Sequence, residues 1–286
     1  MSGTKKRFFW GGCDVRIRKM MAAIMLAAVR LHVGYAQEIT PLSFEVATIR
    51  DSDPGKPVRP ALDFSYNRLQ VRGMTLKELI TISYELGYGT KHQVIGGPSW
   101  METERFDVTA KEGESVWKRL RNLPASQEGA ANRQLIRELL AERFGLKVHQ
   151  EQKVLTTYTL EVAKGGPKLS PGQLDPHLSA DIPQNRVNVR SVGSLEAHNT
   201  DMALFVKVLS SQAELDGLPV VDGTGLKGKY DFTLKWTPFT ASVADPSDSQ
   251  PPLFDALQEQ LGLRVKSRKQ SVDVLVVDAA DKPSAN

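Results

Sequence analysis

Apolar positions along this chain keep two spacings, every second residue in some segments and every third or fourth in others. Residues 67–72 alternate and predict a strand. Thr75 follows as a helix cap: Glu78 completes a capping box, and Leu76, Leu79 and Ile80 share one face. Residues 94–98 and 105–110 read as two strands joined across a Gly-Gly-Pro turn. Leu135, Ile136, Leu139 and Leu140 form the stripe of a second helix, which stops at Gly145. Residues 147–151 and 156–162 alternate again and predict a closing hairpin, and residues 44–50 predict an edge strand in front.

The same order returns downstream. Residues 194–198 predict a strand, Asp201 caps a helix running through Leu209, and 218–222 with 229–236 predict a hairpin. A helix over 253–261 stops at Gly262, and 264–277 supplies two more strands. The text itself repeats: LIRELLAERFGLKV before and after Gly145 answers LFDALQEQLGLRV around Gly262. An ordered series of matches predicts a tandem duplication of a β-α-β-β-α-β-β unit. The fold class expected is α+β, with antiparallel sheets and helices packed on one face. Pro-, Ser- and Asp-rich stretches at 51–61, 165–185 and 237–252 read as loops. They divide the chain into a leader (1–36), a first repeat with its edge strand (37–168), a linker (169–185) and a second repeat (186–286).

Charge changes the picture only at the amino terminus. The chain carries a formal +4. Residues 1–36 hold Lys5, Lys6, Arg7, Arg16, Arg18, Lys19 and Arg30 against Asp14, a net +6 that leaves −2 for the rest. A body near neutrality lacks the concentrated basic footprint of a nucleic-acid binder. The leader has a cationic stretch, an apolar run over 20–29 and small residues before Ala36 and Gln37, the layout of a secretory signal cleaved between those two. The run is shorter than the roughly 17–25 apolar residues that span a bilayer, so no stable membrane span is expected after cleavage. A retained anchor, or a start at Met20 or Met21, is the alternative. The single cysteine, Cys13, lies in the leader, so the mature chain is expected to have no disulfide and no thiol chemistry.

Motifs that resemble chemistry lack their structural partners. Gly223 to Lys229 keep the spacing of a phosphate loop, but an alternating strand pattern follows instead of a helix, and Tyr230 stands where Ser or Thr is required. A glycine-rich hairpin turn is the reading here. Asp222 with Thr224 and Gly225 resembles half of an aspartic-protease dyad, yet the matching position in the first repeat is Gly96, so no second carboxylate exists to share a proton. His92, His149, His177 and His198 lack metal-ligand spacing. No cofactor and no metal are predicted. The candidate binding loops are Gly96, Gly97, Pro98 and Trp100 in one repeat and Asp222 and Thr224 in the other, two similar turns that duplication could offer to one partner. A competing reading makes Trp100 a core residue and Asp222 a turn residue.

Several segments together carry a resemblance: 44–49 (FEVATI), 74–76 (MTL), 96–100 (GGPSW), 105–107 (RFD), 139–144 (LLAERF), 162–168 (VAKGGPK), 219–222 (PVVD) and 230–232 (YDF), with Thr224, Gly225, Gly228, Pro283 and Ser284. In these the chain resembles the uncharacterised acidobacterial, Solibacter-type soil-protein family, an exported domain of unknown function also found fused to BlaR-type membrane peptidases. That family carries a lysine where this chain has Gly223, a departure that counts against chemistry at this turn. The resemblance implies export and a repeated α+β unit, and it transfers no catalytic residue. The expectation is a periplasmic or extracellular, non-catalytic envelope module whose partner is an envelope protein or small ligand. Its alternatives are an extracytoplasmic hydrolase and a purely structural envelope component.

Overall fold

Thr75 and Asp201 each start a helix by accepting an amide hydrogen bond at the side chain. In a computed structural model of the chain, the Thr75 hydroxyl accepts from the Glu78 amide at 3.2 Å while the Thr75 amide donates to the Glu78 carboxylate at 2.8 Å, a complete capping box. Asp201 accepts from the Leu204 amide at 2.9 Å. Leu42–Asn286 is one compact unit. The residues described are 42–53, 55, 59–86, 92–179, 182–239 and 250–283.

The strands are β1 (Phe44–Asp51), β2 (Ala61–Ser65), β3 (Arg68–Thr75), β4 (Val94–Gly96), β5 (Arg105–Glu112), β6 (Lys147–Val162), β7 (Ser170–Pro171), β8 (Arg186–Ser191), β9 (Ser194–Thr200), β10 (Val220–Asp222), β11 (Tyr230–Lys235) and β12 (Leu263–Ala279). The helices are α1 (Leu76–Ser83), α2 (Trp100–Thr103), α3 (Glu114–Leu120), α4 (Ala125–Phe144), α5 (Met202–Leu209) and α6 (Leu253–Leu261). They form an α+β fold with three four-stranded sheets, ordered β1-β5-β3-β2, β7-β11-β9-β8 and β10-β6-β12-β4. The first two are antiparallel throughout and have the same layout, each made from one half of the chain.

The third sheet departs from the sequence reading. Where hairpins were expected at 147–162 and 264–277, β6 and β12 each run unbroken and pair antiparallel from Leu263↔Val162 to Val277↔Val148. A two-residue hairpin needs residues that accept positive φ, and neither strand contains Gly, Asn or Pro. Their polar middles mark solvent exposure instead of a turn.

The two hairpins expected at 94–110 and 218–236 are also absent. β4 leaves its own half and pairs parallel with β12 (Val94↔Leu275), and β10 pairs parallel with β6 (Val220↔Tyr158). β5 and β11 lie in the other two sheets.

Period-two alternation puts Leu160, Leu263, Leu275 and Val277 on one face of this ribbon, the face that meets the two cores, while Thr157, Thr159 and Val274 are buried on the other. Leu275 and Val277 enter a core with Leu69, Val71, Leu76, Phe106, Ile136, Leu140 and Phe144. Leu160 and Leu263 enter a second core with Leu195, Phe205, Leu209, Leu234, Trp236 and Leu257. Each half therefore completes its core with a strand from the other. Val116 and Leu120 on α3 close a small third core with Leu42, Ala131 and Leu135.

One buried group opposes folding. Glu112, at the end of β5, is 3 % exposed, and its Oε2 has no hydrogen-bond partner among the described residues. Desolvation, reinforced by the charge of Glu128, raises its pKa above the ordinary glutamate value. A raised carboxylate pKa means a stabilising contribution that is full below the unfolded-state pKa and is lost as pH rises through the folded-state value. Glu112→Gln, which removes the charge and keeps the shape, should therefore raise the melting temperature more at pH 7.5 than at pH 4. Melting curves at the two pH values check this, and a gain that does not grow with pH contradicts it.

Candidate functional site

The two candidate loops are built into the fold around them. Gly96 and Gly97 have φ of 75° and 74°, and a Cβ on Gly97 would lie 2.6 Å from Met101 Sδ and 2.9 Å from Val277 Cγ1. The Pro98 carbonyl accepts from the Met101 amide at 3.1 Å to begin α2. Trp100 meets Phe106 edge-on at 6.1 Å and stacks on Phe144 at 6.5 Å, with Lys282 Nζ 6.0 Å above its ring. This tryptophan packs against the first core.

At the other loop, Asp222 Oδ1 accepts from the Thr224 amide at 2.9 Å and the Thr224 hydroxyl at 2.7 Å. The Thr224 hydroxyl accepts in turn from the Leu226 amide at 3.2 Å, so both side chains shape the turn. The glycine-rich segment 223–229 then enters β11, a strand in another sheet, and so is a crossover instead of the hairpin turn expected. Ala36 and Gln37 lie outside the described residues.

The ribbon holds these loops apart. β4 pairs beside Val276 and β10 beside Thr159, whose partner is Lys266. The two stations lie roughly ten residues apart along β12, about 33 Å at ~3.3 Å per residue.

Between them lies a feature the sequence did not disclose. The Leu275 amide donates to the Gln93 carbonyl at 2.7 Å, so it points away from β6. Backbone groups alternate in direction along a strand, and the β6–β12 register is continuous here, so Val265, Ser267, Lys269, Ser271 and Asp273 point outward too. The Tyr158 amide donates outward to the Pro219 carbonyl at 2.9 Å, which turns Val148, Gln150, Gln152, Val154 and Thr156 to the opposite edge. The short β4 and β10 cover only the ends of these edges. Among the described residues, the outward backbone of 265–271 and of 148–156 has no partner, while the Asp273 carbonyl accepts from the Gln93 side chain at 3.0 Å. Val154 is 68 % exposed in the middle of the ribbon.

The two edges differ in charge. At one end of β12, Arg264 and Lys266 approach Glu161 at 3.1 and 3.5 Å, and Arg268 bonds the same carboxylate. Desolvation pushes the Glu161 pKa up, but Arg268, Lys266 and Arg264 outweigh it and hold the carboxyl below the ordinary range. Arg264 Nε is buried without a hydrogen-bond partner among the described residues. Along β6 the charges are mixed: His149 pairs with Asp278 at 2.9 Å and Lys153 with Glu151 at 3.4 Å.

The remaining histidines among the described residues are dispersed. His92 Nε2 lies 3.3 Å from the Asp216 carbonyl, His198 lies 3.8 Å from Glu196, and the His177 amide bonds Asp175. Among the described residues there is no group of three His, Cys, Asp or Glu side chains that could hold a metal ion. No described helix is long and apolar enough to cross a membrane.

No curated protein and no solved structure matches the chain. A family model does match, over residues 77–280, which takes in α1, the central ribbon and most of both cores. The chain therefore belongs to the family described as Protein of unknown function (DUF3738).

Proposed function

We propose that this protein is an exported, non-catalytic interaction module of the cell envelope, and that the β6–β12 ribbon is its contact surface. The observation that carries this reading is the pair of long strand edges whose outward backbone has no partner among the described residues. Unpaired edges are the ready template for adding another chain. The signal-like layout of residues 1–36 supports export with cleavage between Ala36 and Gln37. The resemblance to domains that accompany BlaR-type membrane peptidases supports a binding role outside the cytoplasm. The recurring element order supports descent of the two halves from one duplicated unit.

The test uses tagged full-length protein expressed in an exporting host. The expected result is an envelope or extracellular species that begins at Gln37 and retains a partner from that fraction. Val154→Pro combined with Ser271→Pro, which block outward N–H groups without removing a backbone hydrogen bond between β6 and β12 and cost only the exposed bond from the Ser271 hydroxyl to Gln152, should release the partner while the protein still melts cooperatively. Export with Met1 intact sinks the cleavage reading. A partner that stays bound to a folded double-proline variant sinks the ribbon as the contact surface.

A further inference from the structure

We propose that the free edge of β12, from Val265 to Asp273, takes an extended acidic peptide segment as an added strand. This rests on the interaction-module reading above and gives that site its partner chemistry.

Two independent observations converge on this edge. The first is the backbone. Val265, Ser267, Lys269 and Ser271 direct both N–H and C=O outward with no partner among the described residues, and Asp273 directs its N–H the same way. This edge is about 30 Å long at ~3.3 Å per residue, room for a strand of ordinary length. β4 already uses the far end of the same edge in parallel pairing, so the edge is competent to pair.

The second observation is charge. Lys266 and Arg268 lie on one face of the ribbon with Arg264 at its end, and these three share the single carboxylate of Glu161. Two positive charges remain in excess. Lys269 lies on the other face opposite Thr156 and has no ion pair among the described residues. An incoming strand with acidic residues at alternate positions would set two carboxylates beside Lys266 and Arg268, while its intervening residues lie beside Ser267 and Lys269.

Charge also selects among occupants. Antiparallel pairing of β12 with a second copy of itself would place this cationic run against its own like charges, which is unfavourable. The β6 edge, with His149–Asp278 and Glu151–Lys153 already paired, offers no comparable excess.

The experiment follows binding of a fluorescent nine-residue peptide alternating glutamate with valine to the full chain, by anisotropy. Two further versions are N-methylated on one or the other alternate set of residues. An added strand pairs through one edge only, so one N-methylated set should abolish binding and the other should be tolerated. A lysine-for-glutamate peptide should not bind. Lys266→Gln with Lys269→Gln should weaken binding about tenfold, as removal of steering and contact charges does. Amide exchange should slow at Ser267, Lys269 and Ser271.

Equal binding of both N-methylated peptides would mean attraction by charge alone and would overturn the proposal. So would inorganic polyphosphate competing as well as the peptide, protection at Gln150 to Val154 instead, or no binding at all. The peptide modifications leave the protein untouched, so misfolding cannot imitate these results. If the peptide fails while the envelope partner is retained, this inference falls and the interaction-module reading stands. If both are lost, both fall.

Discussion

Separated between residues 179 and 182, the two halves of the chain each fail to melt cooperatively, and mixing them restores a single transition. The reason is the exchange of strands. Fragment 42–179 keeps β4 and β6 but loses β12, the strand both pair with. Its core also loses Leu275 and Val277, which are 2 % and 4 % exposed. Truncating one such side chain to Ala costs about 2–5 kcal/mol, and removing the strand deletes two of them together with its ladder of hydrogen bonds. Fragment 182–283 loses Leu160, a fully buried residue of the second core, and the partner of β10. Whole domains are stable by only about 5–15 kcal/mol, so neither fragment retains a margin. Circular dichroism melts of each fragment and of the equimolar mixture decide the matter. A cooperative melt in either fragment alone would show that the ribbon is dispensable to its core.

Gly262→Ala should be the most damaging small substitution, and Gly225→Ala the control that explains why. Both glycines have positive φ, 64° and 70°. An L-residue in that conformation costs roughly 1–2 kcal/mol at either place. Around Gly225 nothing lies within 4 Å of an added Cβ, so that cost is the whole effect. At Gly262 the added Cβ would sit 2.1 Å from the Gly166 carbonyl oxygen and 3.1 Å from the Lys168 amide. The 163–168 turn would have to move away, although it is tied there by Ala163 N–H to the Gly262 carbonyl and Lys168 N–H to the Leu261 carbonyl, both 2.8 Å. Losing those two hydrogen bonds at about 1 kcal/mol each brings the expected loss to roughly 3–4 kcal/mol. Urea unfolding of the two variants measures the contrast, and equal destabilisation would refute the packing argument.

Local signals carried much of this architecture. Thr75, Asp201, Gly145 and Gly262 mark helix ends because capping and left-handed termination are decided within a few residues. Strand partnership is not local. Nothing near Val94 indicates a partner at Leu275, and the Gly-Gly-Pro turn beside it invited a hairpin that the fold does not make. β2 and β8 escaped notice because they are short, and β2 borders a Pro-rich stretch. The candidate loops were recognisable as turns, and Trp100 as an aromatic beside one, but the sequence left open whether these face a ligand or the core. The ribbon edges were illegible for a deeper reason. An edge is defined by which strands fail to pair, and that is known only once every pairing is known.

The reach from β4 to its partner also governs how the chain acquires its shape. Val94 waits for Leu275, roughly 180 residues later, so the first core cannot close until almost the whole chain is available. Contacts so distant in sequence make folding slow, because loop-closure entropy is spent long before native pairing offsets it. During synthesis the growing chain stays open until its last strand appears, which is the condition a polypeptide needs if it is to thread a narrow channel before it folds.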